Sequence, residues 1–244
     1  MPPRTFIPFG ADHVSILVLI GLAAGAAAFG RRGLRRSAGR DRVWRRSAAA
    51  LLLVNELSSW GVALASGVAR VPCQLCDVAL LLTVWGLWTL RGGVCRLAYF
   101  WALAGSLQAI LTPDLARGFP DYWWIKFFIT HGGVVVAAVY LAVTGRVAAT
   151  TGSVWRVWAL TNAYAAAAGA LNWLQGTNYG YLAAKPSQPS LLDWLGPWPY
   201  YIVGMDALAL GFLFLCYGLL KILRGMPAVG YTDEGKLAGE GPAG

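Results

Sequence analysis

The sequence has little charge: acidic and basic residues occupy 13% of its 244 positions, whereas a soluble domain of this length has about a quarter. It also lacks the alternating segments of about ten residues that build a membrane β-barrel. Hydrophobic residues make up 57% of the chain. They form blocks of about 17 to 24 residues, long enough to cross about 30 Å of hydrocarbon as helices. We therefore predict an all-α polytopic membrane protein.

Seven apolar blocks predict a seven-transmembrane-helix bundle that forms one domain over residues 1–224. The predicted spans are His13–Phe29, Ser47–Val68, Pro72–Leu90, Val94–Leu111, Trp123–Val143, Trp155–Leu174 and Tyr200–Leu223. The remaining residues, 225–244, are rich in glycine and polar residues. Such a composition predicts a disordered tail.

Basic residues are distributed unequally between the predicted loops. Eight arginines follow the first span in "RRGLRRSAGRDRVWRR", and such a cluster stays cytoplasmic. With the N-terminus outside and the C-terminus in the cytoplasm, fourteen basic residues lie inside and five lie outside. The outer five are Arg4, Arg70, Arg117, Lys126 and Lys185. The net charge of +9 thus follows from insertion in the cell membrane, with attraction to anionic lipid head groups, and predicts no nucleic-acid partner.

Polar side chains inside the predicted spans converge on the outer leaflet. An ionisable group at the centre of a span costs about 2.5–3.5 kcal/mol, so each one is a candidate functional residue. The candidates are His13, Cys73, Cys76, Asp77, Gln108, His131, Asn172 and Asp206, with Asn55 and Glu56 nearer the midplane. Polar groups that converge from separate helices line a pocket or a water-filled cavity.

Several candidates have an equally simple structural explanation. Gln108, Asn162 and Asn172 are the kind of residue that forms hydrogen bonds between helices. Asp206 could be a counter-charge for an outer arginine, and His13 lies close enough to the membrane surface to be solvated.

Glu56 and His131 are the two ionisable groups placed deepest. Glu56 is as consistent with pairing to a buried partner, such as His131, as with direct chemistry. His131 is the only histidine deep in a predicted span, and Gly132 and Gly133 follow it. We expect His131 to be functional.

The four cysteines divide into two pairs. Cys95 and Cys216 lie in mid-span or toward the cytoplasm, and buried packing is their expected role. Cys73 and Cys76, in "VPCQLCDVAL", are spaced to share one helical face at the start of the third span. A helix N-terminus favours a thiolate there.

Three functions remain open at this point. A thiol–disulfide oxidoreductase would use both Cys73 and Cys76, but it needs a second dithiol or a quinone, and no second outer cysteine pair exists. A nucleophile needs a base, and Cys76 with His131 could supply the two. A transporter would use the polar residues as a passage. Two cysteines and one deep histidine do not make a recognisable zinc site, so we predict no metal and no cofactor.

Four stretches of the chain resemble the transmembrane protein 164 family, whose bacterial members are the YwaF-like integral membrane proteins. They are "FIPFGADH", "RVPCQLCDVALL", "YWWIKFFITHGGVVVAAVYL" and "NWLQGTNYGYLAAKPSQPSLLDWLGPWPYYI". The resemblance implies a seven-spanning acyltransferase that moves a fatty acyl chain between phospholipids and lysophospholipids. It implies Cys76 as the nucleophile and His131 as the general base. Cys73 departs from the family pattern and is the expected bystander.

Further roles are expected around this centre, in the outer leaflet. Gln108, Asn172 or a backbone N–H at the start of the third span could stabilise an oxyanion. Asp77, Glu56, Asp206 and His13 are expected to support the site or bind substrate.

The segment "LLDWLGPWPYY" before the last span is rich in aromatic residues. Trp194, Trp198, Tyr200 and Tyr201 are expected to anchor the chain at the membrane surface, with a lid over the pocket as the alternative. Asp193 is expected to cap the last span.

Overall fold

The computed structural model describes residues 4–67 and 72–224. Within these ranges every element is helical, apart from one isolated β-bridge between Thr5 and Arg117. The helices are α1 (Ala11–Phe29), α2 (Arg31–Arg36), α3 (Ala38–Ala65), α4 (Leu75–Thr89), α5 (Gly92–Trp101), α6 (Leu107–Leu111), α7 (Tyr122–Val143), α8 (Thr151–Gln175) and α9 (Tyr200–Arg224). The predicted tail, 225–244, lies outside the described residues.

The predicted spans coincide with helices in the described residues, and the fourth, Val94–Leu111, covers α5, α6 and the segment between them. Five stretches are long and apolar enough to cross a membrane, namely α1, α3, α7, α9 and the continuous helix Gly92–Leu111. That helix joins α5 to α6 through the π-helical segment Ala102–Ser106. Helix α4 is apolar but has only 15 residues, about 22 Å at 1.5 Å per residue. The fold is therefore all-α, with five candidate membrane spans.

Local sequence sets where these helices begin and end. The Asp121 side chain accepts a hydrogen bond from Trp123 N (2.9 Å) and so caps α7. Thr150 caps α8 in the same way through Ser153 N (3.3 Å). Helix α8 ends at Gly176, whose φ of 65° is readily adopted only by glycine.

Helix α7 is the centre of the bundle, and α1, α3, α4, α5 and α9 pack against it. Two glycines of α7 let α1 and α3 pack closely against α7. A Cβ on Gly132 would lie 2.6 Å from Ile20 Cδ1, and one on Gly133 would lie 2.8 Å from Leu52 Cδ2. The glycines beside His131 therefore have a packing role.

Hydrogen bonds define two ends of the bundle. At the first, which we call the loop end, the starts of α1, α4, α7 and α9 meet segments 112–121 and 176–199. Its cross-links include His13–Ile110, Ser58–Tyr122, Tyr164–Cys73 and Tyr201–Tyr181. At the opposite end, the arginine end, the cross-links include Arg35–Val143, Arg45–Trp88, Arg96–Ser153 and Arg146–Asp41.

A buried ion cluster holds the arginine end together. Asp41 accepts two hydrogen bonds from Arg146 (2.9 and 2.8 Å) and one from Arg45 Nε (3.1 Å). The Tyr140 hydroxyl also donates to Asp41, and the Trp44 ring packs on Tyr140 with centroids 4.0 Å apart. Two of the arginines predicted on the cytoplasmic side are thus buried partners of one carboxylate.

Candidate active site at the loop end

Cys76 is the second residue of α4 and is half-buried. Asp77 Oδ2 accepts from Gln74 N (3.2 Å), which fixes the first turn. The Cys76 thiol therefore lies in the first turn of α4, where the partial positive charge of the helix N-terminus favours a thiolate, whereas burial and the neighbouring Asp77 carboxylate oppose it.

Cys73 is not on the same helical face as Cys76, so that prediction is wrong. Cys73 lies before Gln74, the N-cap of α4, where the helix has not yet begun and the chain is still extended. Its carbonyl oxygen accepts a hydrogen bond from the Tyr164 hydroxyl (2.7 Å). Both thiols are free.

His131 is buried in α7, and its hydrogen bond determines which ring nitrogen can accept a proton. Nδ1 lies 2.9 Å from Phe127 O. Because a carbonyl oxygen only accepts, Nδ1 carries the hydrogen and Nε2 of the neutral ring holds a lone pair. The ring also packs on Phe127, with centroids 4.1 Å apart. One backbone carbonyl thus holds the imidazole in the form a general base requires.

Glu56 is paired with Lys126, which corrects the suggested pairing with His131. Glu56 Oε2 lies 2.7 Å from Lys126 Nζ, and Oε1 accepts from Trp60 Nε1 (3.1 Å). Lys126 was assigned to an outer loop, but it lies inside α7 and is 7% exposed. The signal was a single lysine inside the apolar run "YWWIKFFITHGG".

Lys126 connects the candidate catalytic residues. Its charge interacts electrostatically with both the Cys76 thiol and the His131 ring, and the Glu56 carboxylate interacts with that ring as well. Asn55 supports this arrangement by donating to Lys126 O (3.2 Å). Cys76 on α4 and His131 on α7 thus each lie within electrostatic reach of Lys126, where α3, α4 and α7 pack together.

A π-helical turn adjoins the start of α4, where Cys76 lies, and no sequence pattern predicted it. The segment Ala102–Ser106 packs against α4, α7 and α9. A Cβ on Gly105 would lie 3.9 Å from Leu75 Cδ2, beside Cys76. Turns of this kind are frequent at functional sites.

His13 is fully buried, not solvated as expected. Its Nδ1 accepts from Phe9 N (2.9 Å), so Nε2 carries the hydrogen and donates to Ile110 O (2.8 Å). Both nitrogens are therefore engaged, which leaves no lone pair for acid–base chemistry. His13 fastens the start of α1 to α6.

Asn172 bonds to the loop after its own helix rather than to another helix. Its Oδ1 accepts from Tyr179 N (2.7 Å) and Thr177 Oγ1 (2.9 Å), and its Nδ2 donates to Tyr179 O (3.0 Å). Both the oxygen and the nitrogen of the Asn172 amide thus form hydrogen bonds to the turn that follows α8. The prediction of an interhelical bond is wrong for this residue.

Asp206 pairs with neutral donors instead of an outer arginine. Its Oδ1 accepts from Trp158 Nε1 (2.9 Å) and Asn162 Nδ2 (3.0 Å), which joins α8 to α9.

Gln108 is half-buried, and its side chain makes no hydrogen bond among the described residues. Asp193 accepts from Ser190 N (2.7 Å). It therefore stabilises its own short turn and does not cap α9.

Asp114 anchors the segment that follows α8 across the loop end. It accepts hydrogen bonds from Ser187 Oγ (2.7 Å), Gln188 N (3.2 Å) and Tyr181 Oη (3.2 Å). Burial and the Asp114 charge raise the pKa of the Tyr181 hydroxyl, so it remains a donor. Gln74 Oε1 accepts from Gly180 N (2.9 Å). This segment therefore contacts the residue that caps the helix of Cys76.

The four aromatic residues expected at the membrane surface do not behave alike. Trp194, Trp198 and Tyr200 are exposed, whereas Tyr201 is buried. The Tyr201 hydroxyl donates to Tyr181 O (2.5 Å). Three of them are thus placed as surface anchors, and the fourth is part of the packing under the loop.

These features define a class: an all-helical, multi-pass membrane protein, in which Cys76 and His131 are candidate functional residues. The TMEM164 family model matches residues 8–217, a range that includes Cys76 and His131. The chain belongs to the TMEM164 family. No curated protein and no solved structure matches it.

Proposed function

We propose that this protein is a membrane acyltransferase that moves a fatty acyl chain from a phospholipid to a lysophospholipid. Cys76 carries the acyl group as a thioester, and His131 is the general base. The observation that carries the proposal is the Phe127 bond to His131 Nδ1 (2.9 Å), which leaves Nε2 unprotonated. The resemblance described above supplies the substrate class.

The proposed topology has seven spans, with the N-terminus outside and the site in the outer leaflet. It adds α4, which is short, and α8 to the five candidate membrane spans of the described residues. The burial of Lys126 in α7 removes one basic residue from the proposed outer loops, which increases the charge asymmetry. Ester carbonyls of phospholipids lie near the interface, where α4 begins under this topology.

The reaction proceeds in two balanced steps. His131 Nε2 takes the thiol proton, and the Cys76 thiolate attacks the ester carbonyl of the donor. The C–S bond forms, the ester C–O bond breaks, and the proton passes to the departing lysolipid oxygen. In the second step His131 takes the hydroxyl proton of the acceptor lysolipid. Its oxygen attacks the thioester, and the thiol leaves with that proton.

Oxyanion stabilisation is assigned to backbone N–H groups at the start of α4. Cys76 is the second residue of α4, so the N–H groups of the first helical turn lie next to its sulfur, close to where the carbonyl oxygen of a thioester would form. The Asn172 amide, an earlier candidate, is bound to Tyr179. Lys126 adds a positive charge that favours the thiolate.

The proposal is tested by intact-protein mass spectrometry after incubation with phospholipid. Wild type should gain a fatty-acyl mass that hydroxylamine removes, because hydroxylamine cleaves thioesters. Cys76→Ser should gain none. His131→Ala should acylate about 10²–10⁴-fold more slowly, the usual contribution of a general base.

Cys73→Ala is the matched control, since it removes the neighbouring free thiol. It should acylate like wild type. A chain that takes up no acyl group but loses two hydrogens on oxidation would instead indicate the oxidoreductase. A transporter would keep its activity in Cys76→Ser.

A further inference from the structure

An apolar groove runs along the membrane-facing side of the bundle between α1 and α3, with α7 as its floor. Two adjoining cavities of about 300 and 590 Å³ form it. They share Ala23, Trp44 and Val136 as lining residues and are therefore continuous. None of the proposed catalytic residues lines either cavity.

The length of the groove matches one acyl chain. Along α1 the lining residues extend from Leu19 to Gly30, about 17 Å at 1.5 Å per residue. Half of a typical hydrocarbon core is about 15 Å. A chain that enters at the arginine end would therefore reach the middle of the bilayer beside Gly132 and Gly133.

The arginine end of the groove is basic. Arg40 lines the larger cavity, and Arg32, Arg36 and Arg42 are exposed on α2 and the first turns of α3. Between residues 30 and 55 the only acidic residue is Asp41, which is already bound to Arg45 and Arg146. Within this part of the chain an anionic group beside Arg40 would thus meet only a carboxylate that two arginines already neutralise.

We propose that this groove binds one acyl chain of an anionic phospholipid, with the lipid phosphate on Arg40. The opening between α1 and α3 is apolar along its length and basic where it ends, which matches the polarity of such a lipid. The charged end of this site lies at the opposite end of the bundle from Cys76, and its apolar end reaches Gly132, the residue after His131. It does not depend on the proposed acyl transfer, and the bound lipid is not the substrate.

Native mass spectrometry of protein released from bilayers with equal phosphatidylglycerol and phosphatidylcholine tests the proposal. Wild type should retain one phosphatidylglycerol. Ala23→Trp should lose it, because the indole would fill the junction of the two cavities. Arg40→Gln should bind it about fivefold more weakly, as expected for one basic residue near a charged lipid surface.

Matched controls lie next to both positions. Leu22→Trp places the same ring on α1 at an exposed position outside the groove, and Arg42→Gln removes an exposed arginine that does not line it. Both should retain the lipid, and so should Cys76→Ser, which separates this proposal from the proposed function.

Photocrosslinking gives a readout that needs no folded variant. Phosphatidylglycerol with a diazirine on one acyl chain should label peptides that contain Ile20, Leu51 or Gly132. Equal retention of phosphatidylcholine, unchanged binding in Ala23→Trp, or labelling spread over all outer helices would each overturn the proposal, since ordinary boundary lipid gives those results.

Discussion

Lys126 Nζ lies 2.7 Å from Glu56 Oε2, and both side chains are buried between α7 and α3. Removing two charges from water is costly, and only their mutual attraction and further hydrogen bonds offset that cost. Because the pair joins α3 and α7, it also fixes the axial position of α7 relative to α3. His131, five residues after Lys126, is positioned by the same contact.

The ion pair predicts a strong asymmetry between single and double substitutions. Lys126→Met should lower the free energy of unfolding by about 3–5 kcal/mol, because it leaves the Glu56 carboxylate buried without its cation. Glu56→Leu combined with Lys126→Met should recover most of that loss. Chemical unfolding in detergent measures both. Lys221→Met, at an exposed lysine on α9, should change stability by less than about 1 kcal/mol. A double variant as unstable as the sum of the singles would contradict the assignment.

Close packing at Gly132 predicts a size-dependent defect that a second substitution relieves. Gly132→Ala should destabilise the protein by about 1–3 kcal/mol, since its Cβ would press on Ile20 Cδ1. Ile20→Val removes that carbon and should restore part of the loss. Gly25→Ala on α1, where no atom lies within 4 Å of the new Cβ, should gain about 0.5–1 kcal/mol. Thermal unfolding of these three variants and of wild type checks this, and equal effects at both glycines would be incompatible with it.

The hydrogen bonds of Asp114 predict that this residue controls the stability of residues 181–188. Asp114→Ala removes the acceptor for three donors, a loss of about 1–2 kcal/mol, which corresponds to a 5–30-fold faster amide exchange. Hydrogen–deuterium exchange of that segment measures it. Asp12→Ala, at an exposed acidic residue on α1, is the control and should leave the exchange unchanged. If Asp114→Ala also leaves it unchanged, the anchoring role is wrong.

Helix positions were predictable from the sequence, whereas the partners of polar side chains were not. Long apolar blocks have to be helical in a membrane, because every backbone group needs a partner there. Lys126 lies within the predicted span Trp123–Val143, but it was counted with the outer basic residues because it is only four residues from the start of α7, where composition does not separate a lysine at the membrane surface from a buried one. Its partner, Glu56, is 70 residues away in sequence, and only the packing of α3 on α7 brings them together.

At the candidate site, too, the residues themselves were predictable from the sequence, whereas their local contacts were not. Cys76 and His131 stood out as rare reactive residues in apolar surroundings. Whether Cys73 lay on the helix depended on where the first turn began, and Gln74 and Asp77 decide that through a local cap. Asn172 was expected to bond to a neighbouring helix. An amide near a helix end can equally bond to the following turn, and the left-handed Gly176 returns the chain to it.

The bond from Gly180 N to Gln74 Oε1 (2.9 Å) connects the segment after α8 to the start of α4. Gln74 is the N-cap of α4, and Cys76 lies two residues further along the chain. Displacement of the segment from Gln74 would break a contact of the residue from which this helix starts. The position of the Cys76 thiol is therefore coupled to a loop that lies more than 100 residues away in the sequence.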